Sequence, residues 1–264
     1  MLNIKQIAIM KKDIKIFTSS KSTIGALIVV PVIMTVALPA IFLSIILFTP
    51  MDSPDMLELI KIMQSAEIAG ENIREELIHM VLDFFIPMFF LLIPIMASSV
   101  MASSSFVGEK EKKTLETLLY CPLTLKEIFS AKIFASFFLS MAVSITSFIL
   151  MLITVETFLF IADEKLFLPG INWLIMLLLV SPAASFISIN LIVRYSAKSQ
   201  TAEEAQQSSL FLMMPVVLLI VGQFTGIMMM GTHIFLAVGA AAAIIALITF
   251  KGSYGKFTYE TLLK

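Results

Sequence analysis

The chain has 264 residues, of which 59% are hydrophobic, with a mean hydropathy of +0.99 and a net charge of −1. A soluble domain this apolar would lack the polar surface needed to cover itself, so the sequence predicts an all-α integral membrane protein with no nucleic-acid partner. Cys121 is the only cysteine. This excludes an internal disulfide framework and a cysteine-based metal cluster, and no catalytic or metal site is predicted.

Residues 1–21 predict an amphipathic helix. Its apolar side chains fall roughly on one face, with lysines elsewhere; the apolar set is Ile4, Ile7, Ala8, Ile14 and Phe17. Such a helix lies in the plane of the cytoplasmic leaflet with its apolar face in the lipid. The alternative is a basic arm that only sets the orientation of the chain.

Five runs free of Asp, Glu, Lys and Arg predict six transmembrane helices. A helix rises about 1.5 Å per residue, so roughly 20 residues cross the hydrocarbon core. The last run, 205–250, holds 46 residues, enough for two helices with a break near its glycines. The predicted spans are 22–50, 84–107, 128–155, 172–194, 206–222 and 233–250.

The segments at the outer side carry few basic residues. Residues 51–83 hold eight acids against two bases, which indicates a solvated acidic face or, alternatively, a surface that attracts cationic substrates. His79 and Asp83, at i and i+4, suggest an ion pair rather than catalysis. Trp173 predicts an anchor at the outer interface. The uncharged turn 223–232 is either external or a re-entrant hairpin.

The basic residues assign the orientation. With the N-terminus in the cytoplasm, only three of the 18 Lys and Arg side chains lie outside, namely Lys61, Arg74 and Lys165. Cytoplasmic loops carry the excess of Lys and Arg, so both termini are predicted to be cytoplasmic.

Residues 108–127, which we call the docking segment, interrupt the apolar sequence on the cytoplasmic side. Glu109 and Glu111 are expected at a helix start, where acids are favoured. Leu115, Leu118 and Leu119 then form an apolar ridge, and Pro122 ends the helix. Thr124 and Glu127 have the spacing of a capping box for the next helix. The helix either docks in a protein groove or lies on lipid.

The same residues carry a family resemblance. The pattern Glu109-Lys110-Glu111-x-x-Thr114-Leu115-Glu116-x-Leu118-Leu119-x-x-Pro122, followed by Thr124-x-x-Glu127 and Lys132, resembles the signature of the ABC-2 family of ABC transporter permeases. Departures are Lys113 and Ala131, where glycine is common, and Cys121, where Ser or Thr is common.

The resemblance implies a coupling helix that contacts a separate ATPase. The docking residues it implies are Glu109, Glu111, Thr114, Leu115, Glu116, Leu118 and Leu119. It also implies a second permease copy or a related permease, and a re-entrant hairpin before the last span. The sequence has no Gly-x-x-x-x-Gly-Lys-Ser/Thr motif, so ATP and Mg²⁺ are expected in the partner ATPase and no cofactor in this chain.

Small polar residues repeat on the third and fourth predicted spans: Ser136, Ser140, Ser144, Ser181, Ser185 and Ser188. Helix packing is the favoured interpretation, and a polar lining of the translocation pathway is the alternative. No Asp, Glu, Lys or Arg lies near the centre of a span, which argues against a proton-coupled carrier.

The sequence therefore predicts a non-enzymatic permease subunit of an ATP-driven exporter in a bacterial plasma membrane. Its expected substrate is hydrophobic or amphipathic, such as an antimicrobial peptide or a drug. A sodium-ion exporter of the same family is one alternative, and a non-transporting membrane sensor or anchor is another.

Overall fold

The structure is a computed structural model that describes residues 4–19, 21–50, 53–54, 56–57, 60–61, 73–114, 123–196, 198–224 and 232–254. All regular structure in these residues is helical. Six helices are long and apolar enough to cross a membrane, which confirms the predicted class and number of spans. We name them TM1 to TM6: Leu27–Phe48, Ile73–Glu111, Leu125–Ile161, Ile171–Tyr195, Ala202–Gln223 and Thr232–Phe250.

The N-terminal helix α1 (Ile4–Ser19) packs along TM3. The face that it turns to the protein carries Gln6, Ile9, Asp13 and Phe17, whereas Ile4 is exposed. Phe17 was predicted on the lipid face, but it is buried against the bundle because the protein face of α1 repeats at i, i+4 and i+8 from Ile9. The position of α1 at the membrane surface stays a prediction.

TM2 and TM3 are longer than the charge-free runs that predicted them. TM2 begins at Ile73, within the predicted external segment, and TM3 continues to Ile161. A helix satisfies its own backbone hydrogen bonds, so it continues past the lipid wherever one face packs and the other is solvated. Most of the external segment before Ile73, like the turn at 225–231, lies outside the described residues.

The core between TM2, TM3 and TM4 is aromatic on the side where TM4 begins. Trp173 packs edge-on against Phe90, with ring centroids 5.5 Å apart, and at a tilt against Phe148, at 5.3 Å. The prediction that Trp173 anchors the chain at the membrane interface is wrong, because the ring is 1% exposed and buried within the bundle. Its indole N–H has found a protein partner, which removes the need for interfacial water.

Two polar contacts join the segments at the same end of the bundle. The predicted pair of His79 and Asp83 is present, with 3.4 Å between Nδ1 and Oδ2. Lys165, between TM3 and TM4, donates to Glu75 Oε1 at 2.6 Å, and this hydrogen bond raises the pKa of Lys165. His79 and Lys165 are solvent-exposed, so each pair stabilises the fold only weakly.

Candidate functional site

At the opposite end of the bundle, charged side chains from three helices meet in a group, buried except for its exposed Lys12, that we call the ion cluster. It consists of Lys12 and Asp13 of α1, Ser105 and Glu109 of TM2, and Lys132 of TM3. Ser105 and Glu109 share one helix face because they are four residues apart. Lys132 lies two turns into TM3, where its ammonium group faces both of the other helices.

Lys132 is the centre of the cluster. Its Nζ donates to the carbonyl oxygen of Ser105 at 2.7 Å and lies 3.4 Å from Asp13 Oδ2. It is 3.0 Å from Glu109 Oε2, an ionic contact without good hydrogen-bond direction. The ring of Phe106 adds a cation–π contact, with its centroid 5.8 Å from Nζ.

The two carboxylates of the cluster have further donors. Ser105 Oγ donates to Asp13 Oδ2 at 2.7 Å, and Lys12 Nζ donates to Glu109 Oε1 at 2.8 Å. Asp13 and Lys132 are each 2% exposed and Glu109 is 6% exposed. Lys132 inside the cluster and Lys12 at its solvent-exposed edge together match the two carboxylates, and such pairing is the condition under which buried charges are tolerated.

TM2 ends at Glu111, and the residues that follow it form a Schellman motif. The amide of Thr114 donates to the carbonyl of Glu109 at 2.9 Å, and the amide of Lys113 donates to that of Lys110 at 3.1 Å. Lys113 has φ of 55°, the left-handed conformation that this motif requires and that glycine adopts most readily. The position at which the family pattern favours glycine is therefore the one with positive φ.

The position predicted for Glu109 and Glu111 from the sequence is wrong. Glu109 and Glu111 were expected at the start of a helix, but they lie in the last turn of TM2. The helix continues to this point because the buried contacts of Glu109 offset its unfavourable interaction with the negative end of the helix dipole.

Glu111 caps the start of a different helix. The short helix α2 (Ala202–Gln207) opens TM5, and Thr201 caps it by accepting from the amide of Glu204. Glu111 Oε2 accepts from the amide of Ala202 at 3.2 Å, so a carboxylate of TM2 satisfies a free donor at the positive end of α2. The end of TM2 is thereby tied to TM5 as well as to α1 and TM3.

The predicted docking residues fall into two groups. Glu109, Glu111 and Thr114 are described; Glu111 and Thr114 are exposed and Glu109 is turned inward. The others lie at 115–119, outside the described residues. On the far side of that gap the predicted capping box is confirmed: Thr124 accepts from the amide of Glu127, and Glu127 Oε2 accepts from the amide of Thr124 at 2.8 Å.

A cavity of about 210 Å³ adjoins the ion cluster, between α1 and the end of TM2. Its lining includes Ile16 and Phe17 of α1, and Gly108, Lys112 and Thr114 at the start of the docking segment. A shift of α1 therefore changes the space beside the first exposed residues of the docking segment.

The predicted pathway serines lie inside this chain's own helix contacts. All six are fully buried: Ser136, Ser140, Ser144, Ser181, Ser185 and Ser188. Ser140 Oγ lies 3.4 Å from Ser185 Oγ, and Ser188 donates to the carbonyl of Ile95 at 3.2 Å. These contacts join TM3 and TM4 to each other and to TM2, as small polar residues do between membrane helices. Their role as a pathway lining stays a prediction.

The sequence contains a signal for the ion cluster. Asp13 is the only acid in the first 21 residues, and Lys132 is the last base before the charge-free run of TM3. Both are isolated charges at the edge of apolar sequence, where an unpaired charge would be costly. Their pairing could not be predicted, because 119 residues separate them.

A comparison with protein-family models matches residues 7–254 to a model described as "ABC-2 family transporter protein". The match covers α1 from Ile7 onward, all six spans and the docking segment. Neither the comparison with curated proteins nor the comparison with solved structures finds a match.

Proposed function

The chain belongs to the ABC-2 family of transporter proteins and is a multi-pass permease subunit of an ABC transporter, and from this premise we propose that it exports a hydrophobic or amphipathic substrate with energy from a separate ATPase. ATP and Mg²⁺ bind to that ATPase. The functional unit contains two permeases, either two copies of this chain or this chain with a related one, in a bacterial plasma membrane.

One observation supports this proposal most directly: the helices on both sides of the docking segment end in capping motifs and are joined to each other. The Schellman motif at Lys113 ends TM2, the capping box at Thr124 begins TM3, and the ion cluster joins the two helices behind them. A force applied between these caps reaches TM2 and TM3 together, because capped helix ends transmit displacement without unwinding.

The docking residues act in two ways in this proposal. Glu111 and Thr114, which are exposed, and Leu115, Glu116, Leu118 and Leu119 contact the ATPase. Glu109 acts through position: its buried carboxylate fixes the end of TM2 against α1 and TM3. ATP-driven closure of the ATPases then moves α1 and the docking ends of TM2 and TM3 together, which exposes the pathway to one side of the membrane at a time.

The docking proposal is tested by co-purification of this chain with candidate ABC ATPase subunits expressed with it. Changing Leu115, Leu118 and Leu119 to Asp places charges on the apolar ridge and abolishes the complex. The matched control changes Leu166 and Leu168, which are exposed at the other end of the bundle, to Asp and leaves the complex intact. Retention of the complex by the ridge variant contradicts the proposal.

The substrate is tested by ATPase stimulation in reconstituted vesicles. We expect amphipathic peptides or lipophilic drugs to raise the ATPase rate in a saturable way, with accumulation on the side opposite the ATPase. Stimulation by Na⁺ alone identifies a sodium exporter. An ATPase that binds but responds to none of these indicates the sensor or anchor instead.

A further inference from the structure

Three of the spans contain the same local irregularity. A five-residue π-helical turn is followed at its second position by a proline in TM1, TM2 and TM4: Ile33–Ala37 before Pro39, Val81–Phe85 before Pro87, and Met176–Val180 before Pro182. In each case the residue preceding the proline donates its amide to the carbonyl five residues earlier.

Proline explains the irregularity. Its ring would clash with the carbonyl of residue i−4, and it has no N–H to donate. A π-turn widens the helix and removes the clash. Because the proline has no N–H, however, nearby backbone carbonyls have no hydrogen-bond donor within the helix. In TM2 the carbonyls at i−5 and i−4 from Pro87 are those of Leu82 and Asp83.

TM4 supplies the missing donors in TM2. The indole N–H of Trp173 donates to the carbonyl of Leu82 at 2.9 Å, and the side-chain amide of Asn172 donates to that of Asp83 at 3.2 Å. Asn172 is 5% exposed. The Trp173 ring is 1% exposed, so both donors are shielded from water, and a buried carbonyl without a donor is costly.

The surroundings hold both donors in position. Phe90 and Phe148 contact the Trp173 ring from two sides. Gly170, which precedes TM4, lies so close to TM2 that a Cβ there would be 3.0 Å from Asp83 Oδ1. The start of TM4 therefore lies close against the irregular turn of TM2.

We propose that the Val81–Phe85 turn is the hinge about which TM2 moves, and that Trp173 and Asn172 are positioning residues that hold this hinge on TM4. The hinge rests on the proposed function, because the moving end of TM2 is the docking segment. From Phe85 to Glu111 the helix forms a lever of about 39 Å, at 1.5 Å per residue. A rotation of roughly 10° at the hinge therefore displaces the docking end by about 7 Å.

A double-mutant cycle on the purified chain tests the contact. Trp173→Phe removes the N–H and lowers the midpoint of thermal unfolding by roughly 2–10 °C. Pro87→Ala restores a backbone N–H to the helix, so Trp173→Phe costs less in that background. The smaller ring of phenylalanine costs the same in both backgrounds, which isolates the hydrogen bond. Pro39→Ala, at the matching turn of TM1, is the control and is expected to be additive with Trp173→Phe.

Movement of the hinge is tested in the assembled transporter. Trp173 is the only tryptophan in the chain, so 5-fluorotryptophan incorporated into this subunit alone gives one ¹⁹F signal at the hinge. We expect that signal to shift or broaden when ATP and vanadate trap the complex, and Trp173→Phe to lower ATP-driven transport more than tenfold while the ATPase still co-purifies.

Three results decide the matter. Additivity of Pro87→Ala with Trp173→Phe overturns the assigned contact. A ¹⁹F signal that does not respond to nucleotide in a complex that hydrolyses ATP overturns the hinge and leaves the proposed function intact. If the unmodified chain does not co-purify with an ATPase, the proposed function is overturned, and with it the role of the hinge in transport.

Discussion

Lys132 illustrates how single residues set the geometry of the docking end. An ammonium group with 2% exposure persists because two carboxylates, a backbone carbonyl and an aromatic ring surround it. A buried pair of this kind contributes little net stability over apolar side chains, but it fixes which helices meet and in which register. Here it joins α1, TM2 and TM3 at one point.

The first prediction concerns the removal of that charge. Lys132→Met leaves Asp13 and Glu109 buried with insufficient positive charge and lowers the free energy of unfolding by about 3–5 kcal/mol. Adding Asp13→Asn restores neutrality, so the double variant is more stable than Lys132→Met alone. Thermal unfolding in detergent measures both.

Lys126→Met is the matched control for this prediction, because Lys126 lies on the same helix but is exposed. It changes stability by less than about 0.5 kcal/mol. If the double variant is no more stable than Lys132→Met, the coupling between Asp13 and Lys132 is refuted.

The second residue-scale prediction concerns the end of TM2. A residue with a Cβ pays a steric cost for the left-handed backbone conformation at position 113. Lys113→Gly removes this cost and stabilises the chain by about 1 kcal/mol. Lys112→Gly, one residue earlier at φ of −82°, gains nothing and is destabilising through the entropy of the unfolded chain. Equal unfolding midpoints for the two variants would contradict the assigned conformation.

At the scale of elements, the sequence predicted what depends on local patterns and missed what depends on partners. The six spans follow from charge-free runs, and the capping box at Thr124 needs only a partner three residues away. The role of Trp173 depends on a carbonyl 91 residues away that Pro87 leaves unpaired. The helix start expected at Glu109 failed likewise, because contacts with Lys12 and Lys132 extend TM2.

Helix packing within the bundle gives the third prediction. Gly239 of TM6 faces TM4 so closely that a Cβ would lie 2.8 Å from Leu179 Cδ2. Gly239→Ala therefore requires the side chains of Leu179 and Val180 to shift and destabilises the chain by about 1–3 kcal/mol. Leu179→Ala in the same chain opens the space and recovers part of the loss.

The control for this prediction is Gly25→Ala, because a Cβ at Gly25 meets nothing within 4 Å. It is neutral or stabilising by up to about 1 kcal/mol, since alanine has the higher helix propensity. Unfolding midpoints of the three variants and the parent chain measure these effects, and equal shifts for Gly239→Ala and Gly25→Ala would refute the close contact.

At the scale of the whole molecule, polar contacts show which helix ends lie on the side of the docking segment. The ion cluster and the Glu111–Ala202 contact bring together α1, the end of TM2 and the starts of TM3 and TM5. Arg194 donates to the carbonyl of Thr249, which places the ends of TM4 and TM6 side by side. Alternation of the six spans then requires both ends of the chain to lie on the same side as the docking segment.

The last prediction identifies that side as the cytoplasm. Cys121, the only cysteine, lies in the docking segment and is expected to resist a membrane-impermeant maleimide in intact cells and to react after permeabilisation. Glu164→Cys, exposed between TM3 and TM4, is placed in a Cys121→Ser background and should react in intact cells. The reverse labelling would put the docking segment outside the cell, where no ATP-driven partner could reach it. Orientation is therefore the premise on which coupling to an ATPase depends, because a docking helix works only on the side where nucleotide is available.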